Sequence, residues 1–208
     1  DWHNEMAVLR LDATVRARRA NIVVKAALFV SFAIALTVDL GTLDGKAMEV
    51  RAPLFLASAV IVPLLGWRRR WRPHAHVGDA LLASPFLLDT LGNLLGFYDE
   101  YPQTDDVLHG LNWILLALAF HAFRFRNTGH TKDAVFLGYG FGAIAIIWWE
   151  AMEWAVSEDG WGGAGGLTLT YEDTIGDLIL SSTGGLIGSL LGVWWLGRKV
   201  PLGKNDAV

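Results

Sequence analysis

The chain contains no cysteine, and charged residues make up only 18% of its 208 residues. The absence of cysteine excludes disulfide bonds, thiolate metal ligands and a cysteine nucleophile, so a metal site would need oxygen and nitrogen ligands. The sequence also lacks a phosphate loop, a nucleotide fingerprint, internal repeats and heptads, and no nucleic-acid partner is expected. Apolar residues, in contrast, reach 53%, and the mean hydropathy is +0.36. This composition predicts a polytopic membrane domain rather than a soluble globule.

Six apolar stretches are long enough to cross a bilayer, for which about 20 residues are needed. They lie near residues 21–39, 52–67, 80–98, 105–123, 134–155 and 174–196. All lysines and arginines except Lys46 and Arg51 fall on one side of the membrane if the six spans alternate in direction. Basic short loops stay in the cytoplasm. The sequence therefore predicts an all-α bundle of about six transmembrane helices with both termini cytoplasmic.

The predicted domain organisation follows from these spans. Residues 21–199 are expected to form the six-helix transmembrane domain, and residues 200–208 a cytoplasmic tail. Residues 1–20 form either an amphipathic helix on the anionic inner leaflet or a plain basic tail. No cleavable signal peptide is expected, so the first span would act as the insertion signal. The glycine-rich stretch 157–170 is interpreted as a flexible lid or linker.

Acidic residues and one histidine lie within or at the predicted outer ends of the last three spans. Carboxylates are costly to bury in hydrocarbon, so they are rare in spans and commonly mark a site. On the fourth span, His109 follows Asp105 by four residues and Asp106 by three, which places at least one carboxylate on the face of the imidazole. The next two spans add pairs at helical spacing, namely Glu150 with Glu153 and Asp173 with Asp177.

The third span carries Asp89 and Asn93 four residues apart, with Asp89 deeper in the predicted bilayer than the other acids. Asp89 forms the floor of the same cavity or part of a path, unless it only makes a structural hydrogen bond to Asn93 or Ser84. Glycines at four-residue spacing would let the helices approach closely. These are Gly92 and Gly96, Gly138 and Gly142, and Gly184, Gly188 and Gly192.

Several carboxylates in one low-dielectric layer cannot all stay ionised unless a positive partner joins them. No lysine or arginine is expected in these outer halves, which leaves protons, a metal ion or a cationic ligand. Oxygen-rich ligation with one imidazole fits a divalent metal ion. The predicted metal ligands are His109, Asp106, Glu150, Asp173 and Asp177. Glu153 is the candidate catalytic base, and the residues predicted to support the ligands or to line a path are Asp89, Asn93 and Asp105.

Some of these residues also have a plainer interpretation. Asp105, Asp106 and Asp173 stand at helix starts, where carboxylates cap the helix and interact well with its dipole. Glu153 is alternatively an interfacial residue that faces water. The other histidines are expected to be interfacial in the case of His121, and solvated in a basic loop in the case of His74 and His76.

The acidic motifs resemble those of a known family. The segment Asp105-Asp106-Val107-Leu108-His109, the pair Glu150 and Glu153, and the opening Asp173-Thr174-Ile175-Gly176-Asp177 of a glycine-rich last span are similar to the core of VanZ-like and YjdF-like bacterial membrane proteins. The resemblance covers about residues 85–195. It implies a multi-pass protein of the bacterial inner membrane and the cell envelope. VanZ-type members are associated with glycopeptide tolerance. They commonly have an arginine before the last aspartate motif and a glutamine in place of Glu153, and this chain has neither.

Three functional hypotheses remain open at this point. The first is an envelope protein whose outward-facing site binds a divalent cation and acts on a lipid, a lipid headgroup or a lipid-linked substrate. The second is a cation- or proton-coupled transporter, in which Asp89 continues a path from the outer carboxylates. The third is a non-catalytic subunit of a membrane complex or a homo-oligomer. Whether the protein is an enzyme is left open by the sequence.

Overall fold

A computed structural model of the chain describes residues 10–128, 133–157 and 170–196. In these three ranges the chain is α-helical and contains no β-strand. The helices are α1 (Val15–Thr37), α2 (Met48–Arg68), α3 (His76–Leu94), the short α4 (Phe97–Glu100), α5 (Thr104–Thr128), α6 (Ala134–Val156) and α7 (Tyr171–Leu196). A 3₁₀ turn, Gly41–Leu43, lies between α1 and α2. The stretch 158–169 and the predicted tail 200–208 lie outside the described residues.

Five of the helices, namely α1, α2, α5, α6 and α7, are long and apolar enough to cross a membrane. This confirms the prediction of an all-α polytopic membrane bundle. The remaining predicted span coincides with α3, which has 19 residues. It is not among the five, it carries Asp79, Asp89 and Asn93 as buried polar residues, and it packs against α1, α2 and α5. Its crossing of the membrane, and the cytoplasmic position of the termini, stay predictions.

An aromatic cluster joins the first three helices. The ring centroids of Phe32 and Phe55 are 5.6 Å apart, and those of Phe55 and Phe86 are 5.0 Å apart, both in edge-to-face geometry. Trp149 of α6 stacks on Phe55 with a centroid distance of 6.4 Å. Such edge-to-face pairs add to the free energy that burial of the rings supplies. The cluster therefore holds α1, α2 and α3 together and connects them to α6.

Helices α5 and α7 approach each other at glycines, as their four-residue spacing predicts. A Cβ atom at Gly188 would lie 2.8 Å from the Cα of Ile114, and one at Gly184 would lie 3.0 Å from the carbonyl carbon of Gly110. The carbonyl oxygens of Ile114 and Gly110 would be closer still, inside the 3.0 Å that real Cβ atoms keep from other heavy atoms, so only glycine permits this packing. Because the backbones touch here, the acidic residues of α7 are brought next to those of α5.

His121 does not lie at the interface, and that prediction is wrong. The side chain is fully buried. A Cβ atom at Gly192 would lie 2.6 Å from its Cδ2, and one at Gly138 would contact its Nε2. The ring also stacks on Phe125 with a centroid distance of 5.4 Å. Glycines on α6 and α7 thus form a hollow that encloses an imidazole near the end of α5.

Candidate metal site

A cavity of about 270 Å³ lies between α2, α3, α5, α6 and α7, near the ends that the sequence places on the outer side. Its apolar wall is formed by Phe55, Phe86, Trp113 and Trp149. Its polar lining consists of Lys46, Arg51, Asp89, Asn93, Tyr98, Asp105, His109, Asn112, Glu153, Asp173 and Asp177. The cavity therefore collects most of the predicted site residues, and it combines them with an aromatic surface.

His109 is at the centre of the acidic groups. Its side chain is buried, and its Nδ1 lies 3.0 Å from the hydroxyl oxygen of Ser181. Its Nε2 lies 3.7 Å from Oδ1 of Asp105 and 3.6 Å from Oδ1 of Asp177. These separations are too long for hydrogen bonds. Two ligands bound at about 2.1 Å to one tetrahedral ion stand about 3.4 Å apart, so both distances from Nε2 are close to the spacing of two ligands of one ion.

Glu150 is buried beside His109 without a partner of its own. The residue is 7% exposed, and neither of its carboxylate oxygens has a hydrogen-bond partner in the described part of the chain. Together with Glu153, it can offer oxygen atoms that lie within 4.8 Å of a ring nitrogen of His109 and of each other. Buried polar atoms almost always have partners. Glu150 is therefore a buried carboxylate of this region that has no hydrogen-bond partner among the described residues.

Two groups with the spacing of metal ligands share His109. The first consists of Asp105, His109 and Asp177, and the second of His109, Glu150 and Glu153. Helices α5, α6 and α7 each supply at least one member. The predicted convergence of charged groups from separate helices is therefore present in the structure. Each group offers oxygen atoms and one imidazole nitrogen, which are donors that suit divalent ions such as Mn²⁺, Fe²⁺ and Zn²⁺.

The structure places the other two predicted ligands at the edge of the site. Asp106 is exposed and belongs to neither group, whereas Asp105, predicted in a supporting position, belongs to the first. Asp173 is exposed and lines the cavity, but it too is outside both groups. The backbone N–H of Asp173 donates to Oγ1 of Thr170, so Asp173 also stands at the start of α7. The geometry favours Asp105 over Asp106 as the carboxylate nearest to His109.

Asp89 has its own positive partner, so the expectation that no arginine reaches this layer is wrong. Nη1 of Arg51 lies 3.3 Å from Oδ2 of Asp89. The Tyr98 hydroxyl donates to Oδ1 at 2.6 Å, and the amide of Asn93 donates to the Asp89 backbone carbonyl at 2.9 Å. Ser84 does not bond Asp89, because its hydroxyl donates to the carbonyl of Ala80. Arg51 was missed because it precedes the predicted second span, although its long side chain reaches inward from the first turn of α2.

A second buried polar group, at the opposite end of α3, was not predicted. Asp79 is fully buried, and its Oδ2 accepts from Lys25 Nζ at 2.5 Å and from Asn21 Nδ2 at 2.9 Å, while Nε2 of His74 lies 2.8 Å away. Nδ1 of His76 lies 3.2 Å from the same Asn21 amide nitrogen. The two histidines are thus not simply solvated. The sequence contains one indication of this group. Lys25 lies inside a predicted span and Asp79 directly before another, and opposite charges in such positions commonly pair.

Replacement of Asn21 by alanine is expected to destabilise this end of the bundle. The change removes one hydrogen bond to the buried Asp79 carboxylate, and hydrogen bonds to charged groups contribute about 1.5–3 kcal/mol. Thermal unfolding in detergent measures the effect. The matched control is Ser31→Ala on the same helix, since among the described residues the buried Ser31 hydroxyl bonds only the carbonyl of Leu28 in its own helix. Equal unfolding temperatures for the two variants would contradict the importance of the Asp79 group.

A family model described as "Predicted membrane protein (DUF2238)" matches residues 18–198. No curated protein matches the chain, and no solved structure matches it. The matched range contains α1 from its fourth residue onward, all of the later helices, and every residue of the two groups that share His109.

Proposed function

The chain belongs to the DUF2238 family of predicted membrane proteins, and from this premise we propose that it is a multi-pass membrane protein that binds a divalent cation through His109 and the carboxylates around it. The family and the five apolar helices support the membrane location. The finer proposal places the protein in the inner membrane of the bacterial cell envelope with the site facing outward. The resemblance of its acidic motifs to VanZ-like and YjdF-like proteins supports that placement.

The observation that carries the proposal is the environment of Glu150. A carboxylate that is buried without a hydrogen bond is strongly disfavoured unless it is neutralised or bound. Arg51 neutralises Asp89 and lines the cavity, but the ion pairs of the described residues include none that joins Glu150 to an arginine or a lysine. A ring nitrogen of His109 and an oxygen of Glu150 lie within 4.8 Å of each other. Asp105 and Asp177 place further carboxylate oxygens beside the same imidazole. A divalent cation held at His109 would neutralise the carboxylates of the group that it joins and lower the repulsion from the other.

Each residue has a definite part in this proposal. His109, Glu150, Asp177 and Asp105 hold the cation, and Ser181 orients the His109 ring through its contact with Nδ1. Glu153 is half-buried and lines the cavity, which suits a general base that accepts a proton from water or substrate. A bound divalent cation supplies Lewis-acid polarisation and makes bound water more acidic.

The proposed substrate is amphiphilic. The cavity joins the acidic groups to the aromatic side chains of Phe55, Phe86, Trp113 and Trp149. It also lies near the ends of membrane-spanning helices, where the headgroup of a lipid or a lipid-linked molecule enters most readily. We therefore propose a lipid headgroup or a lipid-linked molecule as the substrate class.

Metal analysis of purified protein tests the cation site. We expect about one divalent ion per chain, and we expect Glu150→Gln to weaken its affinity at least about 100-fold, the upper end of the effect seen for residues that merely support ligands. Asp106→Asn is the matched control, since Asp106 is exposed and outside both groups, and it should change affinity little. Folded wild-type protein that takes up no Mn²⁺, Zn²⁺, Mg²⁺ or Ca²⁺ on titration would refute the proposal.

The two alternative functions have less support. A transporter needs a polar path, and between Asp79 and Asp89 the only polar side chain of α3 is Ser84, which bonds its own helix. Uptake of cations into proteoliposomes that is lost in Asp89→Asn would favour transport. A non-catalytic subunit would leave Glu150 structural, and normal assembly of Glu150→Gln with its partners would favour that role.

A further inference from the structure

A cleft lined by arginine and tryptophan side chains lies at the end of α2 that is distant from the acidic cavity. Its lining includes Arg68, Arg70, Arg72, Trp67 and Trp71. Leu64 and Leu65, one turn earlier on α2, continue the lining onto the apolar surface of the helix. The described residues that line this cleft include no aspartate and no glutamate. Its two halves are thus a cationic rim and an apolar floor.

The shape of the cleft is fixed by contacts with the rest of the fold. The backbone N–H of Trp71 donates to the carbonyl of Gly66 at 2.9 Å, which folds the chain back over the end of α2. The Trp71 ring stacks on Phe123 of α5 with a centroid distance of 6.3 Å. His74, also in the lining, is held by the buried Asp79 carboxylate. The cleft therefore has a rigid base, although its arginines are on the surface.

The arginines of the rim are available to a ligand. Arg68, Arg70 and Arg72 are exposed, and none of them forms an ion pair with a carboxylate in the described ranges. Arg70 adopts a left-handed backbone with φ of 54°, a conformation that costs free energy and that clusters at ligand-binding positions. Trp67 is 78% exposed. Guanidinium groups bind phosphate oxygens in pairs, and tryptophan favours the membrane interface.

We propose that this cleft binds the phosphate group of an anionic phospholipid. The guanidinium groups of Arg68, Arg70 and Arg72 contact the phosphate, and the acyl chains lie along Leu64 and Leu65. The general preference of basic loops for the cytoplasmic side also explains arginines in this loop, but it predicts the same role for each of them. Lipid binding in the cleft predicts a different role for Arg69, because Arg69 is exposed in the same loop and does not line the cleft.

The test measures lipid binding by the purified full-length chain in detergent, with native mass spectrometry counting the bound molecules. The wild type should bind phosphatidylglycerol about tenfold or more tightly than phosphatidylcholine, given three arginines at the site. Arg70→Gln should weaken phosphatidylglycerol binding about fivefold, the effect of one arginine near an anionic headgroup. Arg69→Gln should change it less than about twofold, and Arg70→Lys should recover only part of the affinity, because an ammonium group cannot bind two phosphate oxygens as a pair.

Three results would overturn the proposal. Equal losses in Arg69→Gln and Arg70→Gln would show that only the total charge of the loop matters. Equal affinity for phosphatidylglycerol and phosphatidylcholine would exclude an anionic phospholipid as the ligand of the cleft. Binding of inorganic phosphate that depends on Arg70, without binding of the lipid, would reassign the cleft to a free anion. If Arg70→Gln does not fold, Arg68→Gln takes its place in the same comparison, because Arg68 has a regular helical backbone.

Discussion

Replacement of Gly184 by alanine is expected to lower the unfolding temperature of the protein by about 6–12 °C. The added Cβ atom would lie 3.0 Å from the carbonyl carbon and 3.2 Å from the Cα of Gly110, with the carbonyl oxygen closer still. These neighbours are backbone atoms that cannot rotate away, so α5 and α7 must separate. Overpacking against backbone atoms that cannot move costs about 3 kcal/mol, the upper end of the usual range, and each kcal/mol lowers the unfolding temperature of a chain of this size by about 2–4 °C.

The matched control for this change is Gly176→Ala on the same helix. A Cβ atom at Gly176 meets nothing within 4 Å, and alanine is the better helix former by about 1 kcal/mol. The unfolding temperature of Gly176→Ala should therefore be unchanged or higher. Thermal unfolding followed by circular dichroism in one detergent measures both variants. If Gly184→Ala unfolds at the wild-type temperature, the close contact of α5 with α7 is not present in the protein.

Removal of the Asp89 carboxylate in Asp89→Ala is expected to have an equally large effect. Arg51 would then be left without its counter-charge, although its side chain is only 15% exposed. Breaking a buried ion pair by removal of one partner costs about 3–5 kcal/mol, because an uncompensated charge stays in a low-dielectric environment. The Tyr98 hydroxyl would lose its acceptor as well. The unfolding temperature should fall by about 6–20 °C.

A second ion pair near the same cavity provides the control. Lys46 Nζ lies 2.7 Å from Oδ1 of Asp99, whose side chain is 53% exposed. Exposed pairs of this type contribute about 0–1 kcal/mol, so Asp99→Ala should change the unfolding temperature little. The double variant Arg51→Gln with Asp89→Asn should be more stable than the sum of its two single changes predicts. Additive losses in this double variant would show that Arg51 and Asp89 do not interact.

The site could be predicted in part from helical spacing. The intervals from Asp105 to His109 and from Glu150 to Glu153 correctly indicated residues on one helix face, and the glycines of the last span correctly indicated close packing. Spacing alone could not choose between Asp105 and Asp106, because intervals of three and four residues both bring side chains together on a helix. The tertiary structure makes the choice, because Nε2 of His109 lies near both Asp105 of its own helix and Asp177 of α7.

The errors concern residues whose environments are built by other helices. Arg51 was placed outside the acidic layer, and His121 at the interface. Arg51 instead reaches Asp89 of α3, and His121 fills the space left by glycines on α6 and α7. Neither environment could be predicted from neighbours in the sequence. The long Arg51 side chain reaches a residue on another helix, and the space for His121 exists because glycines on two other helices have no side chain.

The sequence by itself determined that this is an α-helical membrane protein and indicated which of its acidic residues lie in or beside apolar helices, because hydrophobic run length and helical period are local properties of the chain. The tertiary structure alone decided that Asp89 is neutralised by Arg51, that Glu150 is buried next to His109, and that Asp79 has three polar partners. The reason is physical. Electrostatic free energy depends on distances between charges on different helices, and the backbone contact between α5 and α7 and the packing around α3 set those distances.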